Sequence, residues 1–169
     1  VGGRKKRLIK KTTMNNFVSK RQVVSANQHL KAKPSDVFPL LCPKREYDWI
    51  PGWACEILYS KSGFAEQDCI FTTHFPNNCF ETWVTDIYIP NQEIQFIRVS
   101  EERVIRYSIR LTENTDGTTL ACWEQTITSL NKKGNLYIEN LDNNAFFLKI
   151  KHLEKLLNHF LETGQMMKV

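Results

Sequence analysis

The chain has 169 residues, 41% hydrophobic and 24% charged, which suits one folded domain with its own core. No apolar run approaches the ~18–20 residues that a membrane-crossing helix needs, so stable membrane insertion is not expected. The net charge of +5 is local: Arg4, Lys5, Lys6, Arg7, Lys10 and Lys11 carry six positive charges, and the remainder has 17 basic against 18 acidic residues, too neutral for a nucleic-acid surface.

In chain order, residues 1–16 read as a basic, disordered leader, and 17–165 as a single domain. No 7–15-residue apolar segment follows the basic cluster, so it does not read as a secretory signal. Segment 20–31 reads as a first strand with imperfect alternation. Pro34 and Ser35, the latter a candidate N-cap, open a short helix that Pro39 and Pro43 keep brief. Residues 44–50 form a second short helical piece, stopped by Pro51-Gly52.

Strand signals then recur at 53–60, 68–76, 79–89, 93–99, 103–112 and 118–130, each rich in β-branched and aromatic residues. Short turn sequences separate them, as expected of antiparallel hairpins. Alternation is clearest in 103–112, with Ile105, Tyr107, Ile109 and Leu111 on one face. A sheet with one dry face needs a cover. Asn135–Leu141 reads as a helical turn. A long helix over 143–162 then follows, capped by Asp142 and ended by Gly164. Phe146, Ile150, Leu153, Leu157 and Phe160 form its apolar stripe, widened by Leu148, Leu156 and Leu161. The fold class is therefore α+β: a seven-stranded antiparallel sheet, two short helices after the first strand, and a long C-terminal helix.

Cys42, Cys55, Cys69, Cys79 and Cys122 are odd in number and widely spaced, with no C-x-x-C. They read as free thiols in a reducing, cytoplasmic setting. No nucleotide-cradling glycine loop, hydrolase elbow or metal-ligand motif is present, so no cofactor and no metal are expected. His152 and His159, seven apart on the helix, are too far from each other to chelate alone.

Certain stretches resemble the helix-grip proteins of the START, pollen-allergen and polyketide-cyclase superfamily (SRPBCC), in particular an uncharacterised bacterial branch. They are Phe38-Pro39-Leu40-Leu41-Cys42-Pro43, Arg45-Glu46-Tyr47-Asp48-Trp49-Ile50 through Gly52-Trp53, Ser60-Lys61-Ser62-Gly63, Phe71-Thr72-Thr73, Glu81-Thr82-Trp83-Val84, and Gly134-Asn135 with Ile138-Glu139-Asn140-Leu141. The resemblance implies a sheet curved around the C-terminal helix, and an apolar cavity between them with the short helices at its mouth.

In such a cavity the candidate ligand-binding residues are Trp49, Trp53, Phe71, Thr73, Glu81, Trp83, Glu124, Phe146 and Ile150. Glu81 shares a strand face with Trp83, Thr85 and Ile87, so desolvation could make it a catalytic acid or base. The alternative is an exposed Glu81, or one paired with Arg98. Glu124 shares a face with Leu120, Cys122 and Thr126, with a salt bridge or sheet-edge position as its alternative. Trp49 and Trp53 either gate the mouth or plug the core. Glu46 reads as half of an ion pair fixing the short helices.

Three functions follow: a carrier or sensor of a small hydrophobic molecule, a cyclase- or dehydratase-like enzyme using a pocket carboxylate, or a filled-core interaction protein. The absence of a clustered titratable set favours the binder over the enzyme. Monomer and dimer are equally compatible with the sequence.

Overall fold

The strands owe their pairing to a period of two that buries one face of each. The computed structural model describes residues 17–75 and 79–168, Cys79 by its main chain alone. The strands are β1 (Arg21–Leu30), β2 (Glu56–Tyr59), β3 (Ile70–Phe75), β4 (Cys79–Ile89), β5 (Glu93–Val99), β6 (Arg103–Glu113) and β7 (Thr119–Ser129). They form one antiparallel sheet in the order β1-β7-β6-β5-β4-β3-β2, a meander from β2 to β7 with β1 added at its end. Helix α1 (Pro34–Val37) runs into a 3-10 turn at Phe38–Leu41, and another turn spans Glu46–Asp48. Helices α2 (Lys132–Glu139) and α3 (Asn143–Thr163) close the chain. The expected leader, residues 1–16, lies outside the described residues.

The expected seven strands and long helix are present. Three local details differ. Helix α1 begins at Pro34 behind Lys33, with no side-chain cap, so Ser35 does not cap it. Strand β2 begins at Glu56 because the preceding residues turn to fold Trp53 back toward Pro43, whose carbonyl accepts the indole N–H at 2.8 Å. In β4 the pairing slips between Thr85 and Ile87, so Ile87 leaves the face shared by Glu81, Trp83 and Thr85. The bulge turns Tyr88 inward instead, with its ring 5.2 Å from that of Phe38.

The imperfect alternation of β1 has a simple cause. Val24, Ala26, Gln28 and Leu30 all face inward, and Gln28 is fully buried. Its amide N–H donates to the Ile150 carbonyl at 3.0 Å, and its oxygen accepts from the Trp123 indole at 2.8 Å. One satisfied polar group thus ties β1, β7 and α3 together.

Helix α3 follows the expected capping. The Asp142 carboxylate accepts from the Asn144 N–H at 2.8 Å, and Gly164 takes the left-handed conformation at φ 68°. Phe146, Ile150, Leu156 and Leu157 are buried, but Leu148 points to solvent. Where α3 meets the edge strand β1, Glu154 accepts from the His29 N–H and Asn158 bonds the main chain of both His29 and Lys31. Helix side chains therefore occupy polar groups that a bare edge would offer to another strand.

Helix α2 packs tightly on the β5–β6 turn. A Cβ on Gly134 would lie 2.0 Å from the Glu102 carbonyl oxygen, so only glycine fits. Asn131 caps this helix, accepting from the Gly134 N–H at 3.0 Å.

Candidate functional site

Register places the large rings next to one another on the concave face. Phe71 pairs with Trp83 across β3 and β4, Phe96 with Tyr107 across β5 and β6, and Ile109 with Trp123 across β6 and β7. The Phe71 and Trp83 rings stack at 5.2 Å between centroids. Phe96 meets Trp83 edge-on at 5.7 Å, and Tyr107 lies 5.7 Å from Trp123. Offset and edge-on contacts of this kind fix each ring in place.

These rings do not fill the space beneath the helix. A cavity of about 230 Å³ remains, walled by Phe71, Trp83, Phe96, Tyr107 and Trp123, roofed by Lys149 and Leu153 of α3, and closed at its end by Glu46 and the Ile50–Trp53 turn. A second, more open crevice of about 680 Å³ lies between the sheet, α2 and the start of α3, where Val24, Gln125, Tyr137 and Phe146 line it. Arg98 and Lys149 border both spaces. They form the waist between an aromatic chamber and a wider vestibule.

Glu81 is 1% exposed and lies beside this waist, lining neither space. Its carboxylate accepts from Arg98 Nε at 3.0 Å and Nη2 at 2.5 Å, and from Arg103 Nη2 at 3.3 Å. The Arg98 guanidinium lies 4.3 Å from the Trp83 ring centroid, and that of Arg103 lies 4.0 Å from the Tyr137 ring. Glu81 thus anchors two buried cations against aromatic faces.

The other expected site residues separate into groups. Trp53, Phe71 and Trp83 border the chamber, and Phe146 borders the vestibule. Thr73 is buried and accepts from the Trp83 indole at 2.9 Å, so it orients a wall. Trp49 is fully buried and donates to the Leu40 carbonyl at 2.9 Å, which makes it a core plug. Ile150 is also fully buried in the core. Glu124 does not line the cavity. Strand alternation puts Trp123 and Gln125 on the concave face and Glu124 on the opposite one, 3.6 Å from Arg110.

Two charged groups at the chamber were not expected there. Arg45 pairs with Asp48 at 2.6 Å, so the ion pair expected of Glu46 goes to its neighbours. Glu46 turns to the chamber instead. Burial pushes its carboxyl up to about 8, and the Lys149 charge only partly offsets this. Lys149 keeps solvent-accessible surface because it borders the open vestibule. Burial, and then the Arg98 charge, hold its ammonium below its ordinary value, opposed by Glu81 and Glu46. Burial also pushes the Tyr107 phenol well up, despite Arg98 nearby. The chamber therefore presents a carboxyl pushed up to about 8 and a phenol, with Arg98 and Lys149 at its inner end.

No three His, Cys, Asp or Glu side chains among the described residues come together as a metal site. No helix among them is long and apolar enough to cross a membrane.

No protein-family model matches the chain, and no curated protein sequence does. Solved structures do. Norcoclaurine synthase from Thalictrum flavum superposes with a TM-score of 0.63 at 11% identity, over 86% of this chain and 99% of that one. The chain has a helix-grip fold. An uncharacterised protein from Rhizobium leguminosarum gives 0.59 at 14% identity, over 86% and 97% of the two chains. DynU16, from the dynemicin biosynthetic locus, gives 0.57 at 16% identity, over 85% of this chain and 48% of its own. At these identities the likeness concerns the fold, which many functions share.

Proposed function

We propose that this protein binds a small hydrophobic, ring-bearing molecule in the chamber between the sheet and α3, as a carrier or sensor. The observation that carries the reading is the aromatic-walled cavity of about 230 Å³ under Leu153. Burying apolar ligand surface there is worth roughly 25 cal/mol per Å² before the cost of association. Flat rings can lie against the floor made by Trp83, Phe96, Tyr107 and Trp123, beneath Leu153, and the Pro51-Gly52-Trp53 turn forms the gate. An intracellular setting is part of the reading, supported by the free thiols of Cys42, Cys55, Cys69 and Cys122. So is a place among SRPBCC proteins, supported by the shared helix-grip fold.

Titration with the neutral fluorophore N-phenyl-1-naphthylamine tests this. Saturable, one-to-one fluorescence enhancement with quenching of tryptophan emission is expected. No saturable signal would refute the reading.

A second reading, acid/base catalysis of the cyclase or dehydratase kind, draws support from Glu46 in place of Glu81. A carboxyl held at about 8 in an apolar chamber can give up or take a proton near neutrality. Catalysis requires that Glu46→Gln lose turnover while retaining the bound molecule.

A further inference from the structure

The waist of the cavity carries more positive charge than its carboxylates balance. Arg98 and Lys149 border it and Arg103 shares the Glu81 carboxylate beside it; among the described residues, Glu81 and the half-exposed Glu102 are the carboxylates ion-paired with the two arginines. Glu46, its carboxyl pushed up to about 8 by burial, is a weak counter-charge at pH 7. Lys149, exposed toward the vestibule, has no carboxylate partner among the described residues.

The donors are equally unequal. Arg98 gives Nε and Nη2 to Glu81, and its Nη1 makes no hydrogen bond among the described residues. Lys149 borders the same space and forms neither a hydrogen bond nor an ion pair among them. Two cations, one on β5 and one on α3, thus border the same two cavities with spare donors. Two like charges bordering one cavity favour an anion between them. A neutral apolar ligand leaves their repulsion in place, and a cationic one adds to it.

We infer that the ligand is an organic anion, a ring-bearing molecule whose singly charged carboxylate-type group sits between Lys149 Nζ and Arg98 Nη1. Its rings occupy the aromatic chamber, and the carboxyl of Glu46 donates to a polar atom at the far end. This rests on the binding reading above and adds to it the charge of the ligand and the groups that select it. Arg98 is preorganised to hold such a group, because Glu81 fixes its fork and Trp83 supports its face, so little freedom is lost on binding.

The experiment is displacement of N-phenyl-1-naphthylamine at pH 7 by two ligands of the same shape, naphthalene-2-carboxylate and naphthalene-2-carboxamide. The carboxylate is expected to bind at least tenfold more tightly. In Lys149→Met, with folding checked by thermal unfolding, the preference should fall to within about threefold of parity. Lys149→Arg should restore it. Equal or tighter binding of the carboxamide, or failure of both to displace the fluorophore, overturns the anion inference and leaves the binding reading standing. Failure of the fluorophore itself to bind removes both.

Discussion

Glu81→Gln separates a structural carboxylate from a catalytic one. The side chain is 1% exposed, and Arg98 and Arg103 are each 8% exposed, so water cannot replace the lost charge. Removing one partner of a buried ion pair costs roughly 3–5 kcal/mol. Gln keeps one acceptor oxygen, and Arg103 keeps Glu102 at 3.7 Å and the Tyr137 ring, which places the loss near the lower end, about 3 kcal/mol. For a chain of this length that corresponds to a fall in Tm of roughly 6–12 °C. Urea and thermal unfolding followed by circular dichroism measure it, with fluorophore affinity taken well below the transition. The expected result is a large loss of stability with affinity changed less than about threefold. The double variant Glu81→Gln/Arg98→Met should recover part of the loss, since one stranded cation is then gone. A Tm within about 2 °C of the parent would refute the anchoring role. Unchanged stability with lost function would return Glu81 to the chemistry.

Three further outcomes follow from the same structure. The folded state keeps the Glu46 proton up to about pH 8, whereas the unfolded chain releases it near 4.5. That contribution is complete below 4.5 and is lost as pH rises toward 8, with a slope of at most ~1.4 kcal/mol per pH unit. Glu46→Gln should therefore gain on the parent between pH 5 and 8 in urea unfolding, with Lys149, Arg98 and Tyr107 unchanged around it; parallel curves would contradict the burial of that carboxyl. Gln28→Met keeps the volume but strands the Trp123 indole N–H and takes from the Ile150 carbonyl the partner it has beside its own helix bond, at a cost of roughly 1–3 kcal/mol by urea unfolding. A loss below about 1 kcal/mol would mean the amide's two bonds contribute little. Gly134→Ala should lower Tm even though alanine favours helix by ~1 kcal/mol, because its Cβ meets the Glu102 carbonyl. A rise in Tm would show that α2 can shift away from that turn.

The strands and the long helix were legible because each repeats a simple period over many residues, as in Ile105-x-Tyr107-x-Ile109 and in the α3 stripe. The same rule placed Glu81 and Trp83 inward, and it could have placed Glu124 outward had Trp123 and Gln125 been taken as the concave set. Ile87 failed because a bulge breaks the period, and no residue in Thr85-Asp86-Ile87 announces one. Gln28 was hidden because a buried amide reads as a polar outward position until its partners on β7 and α3 are known. Glu46 and Lys149 were missed for a related reason. Glu46 belongs to a polar stretch and Lys149 interrupts an apolar one, and only the three-dimensional meeting of a short 3-10 turn with α3 puts both on one cavity. The competition of Asp48 for Arg45, an i,i+3 neighbour on the same turn, was the one sequence signal that Glu46 had lost its nearest partner.

The central claim is that the chamber under α3 receives a small molecule. Native mass spectrometry of the chain purified from expressing cells, beside Leu153→Trp, tests it most directly. Leu153 roofs the chamber, and an indole there occupies much of its about 230 Å³. A retained small molecule, or fluorophore bound one-to-one, is expected on the parent chain, and neither on a folded Leu153→Trp. Retention of the same molecule by the filled variant, or an empty parent that binds no fluorophore, would contradict the claim.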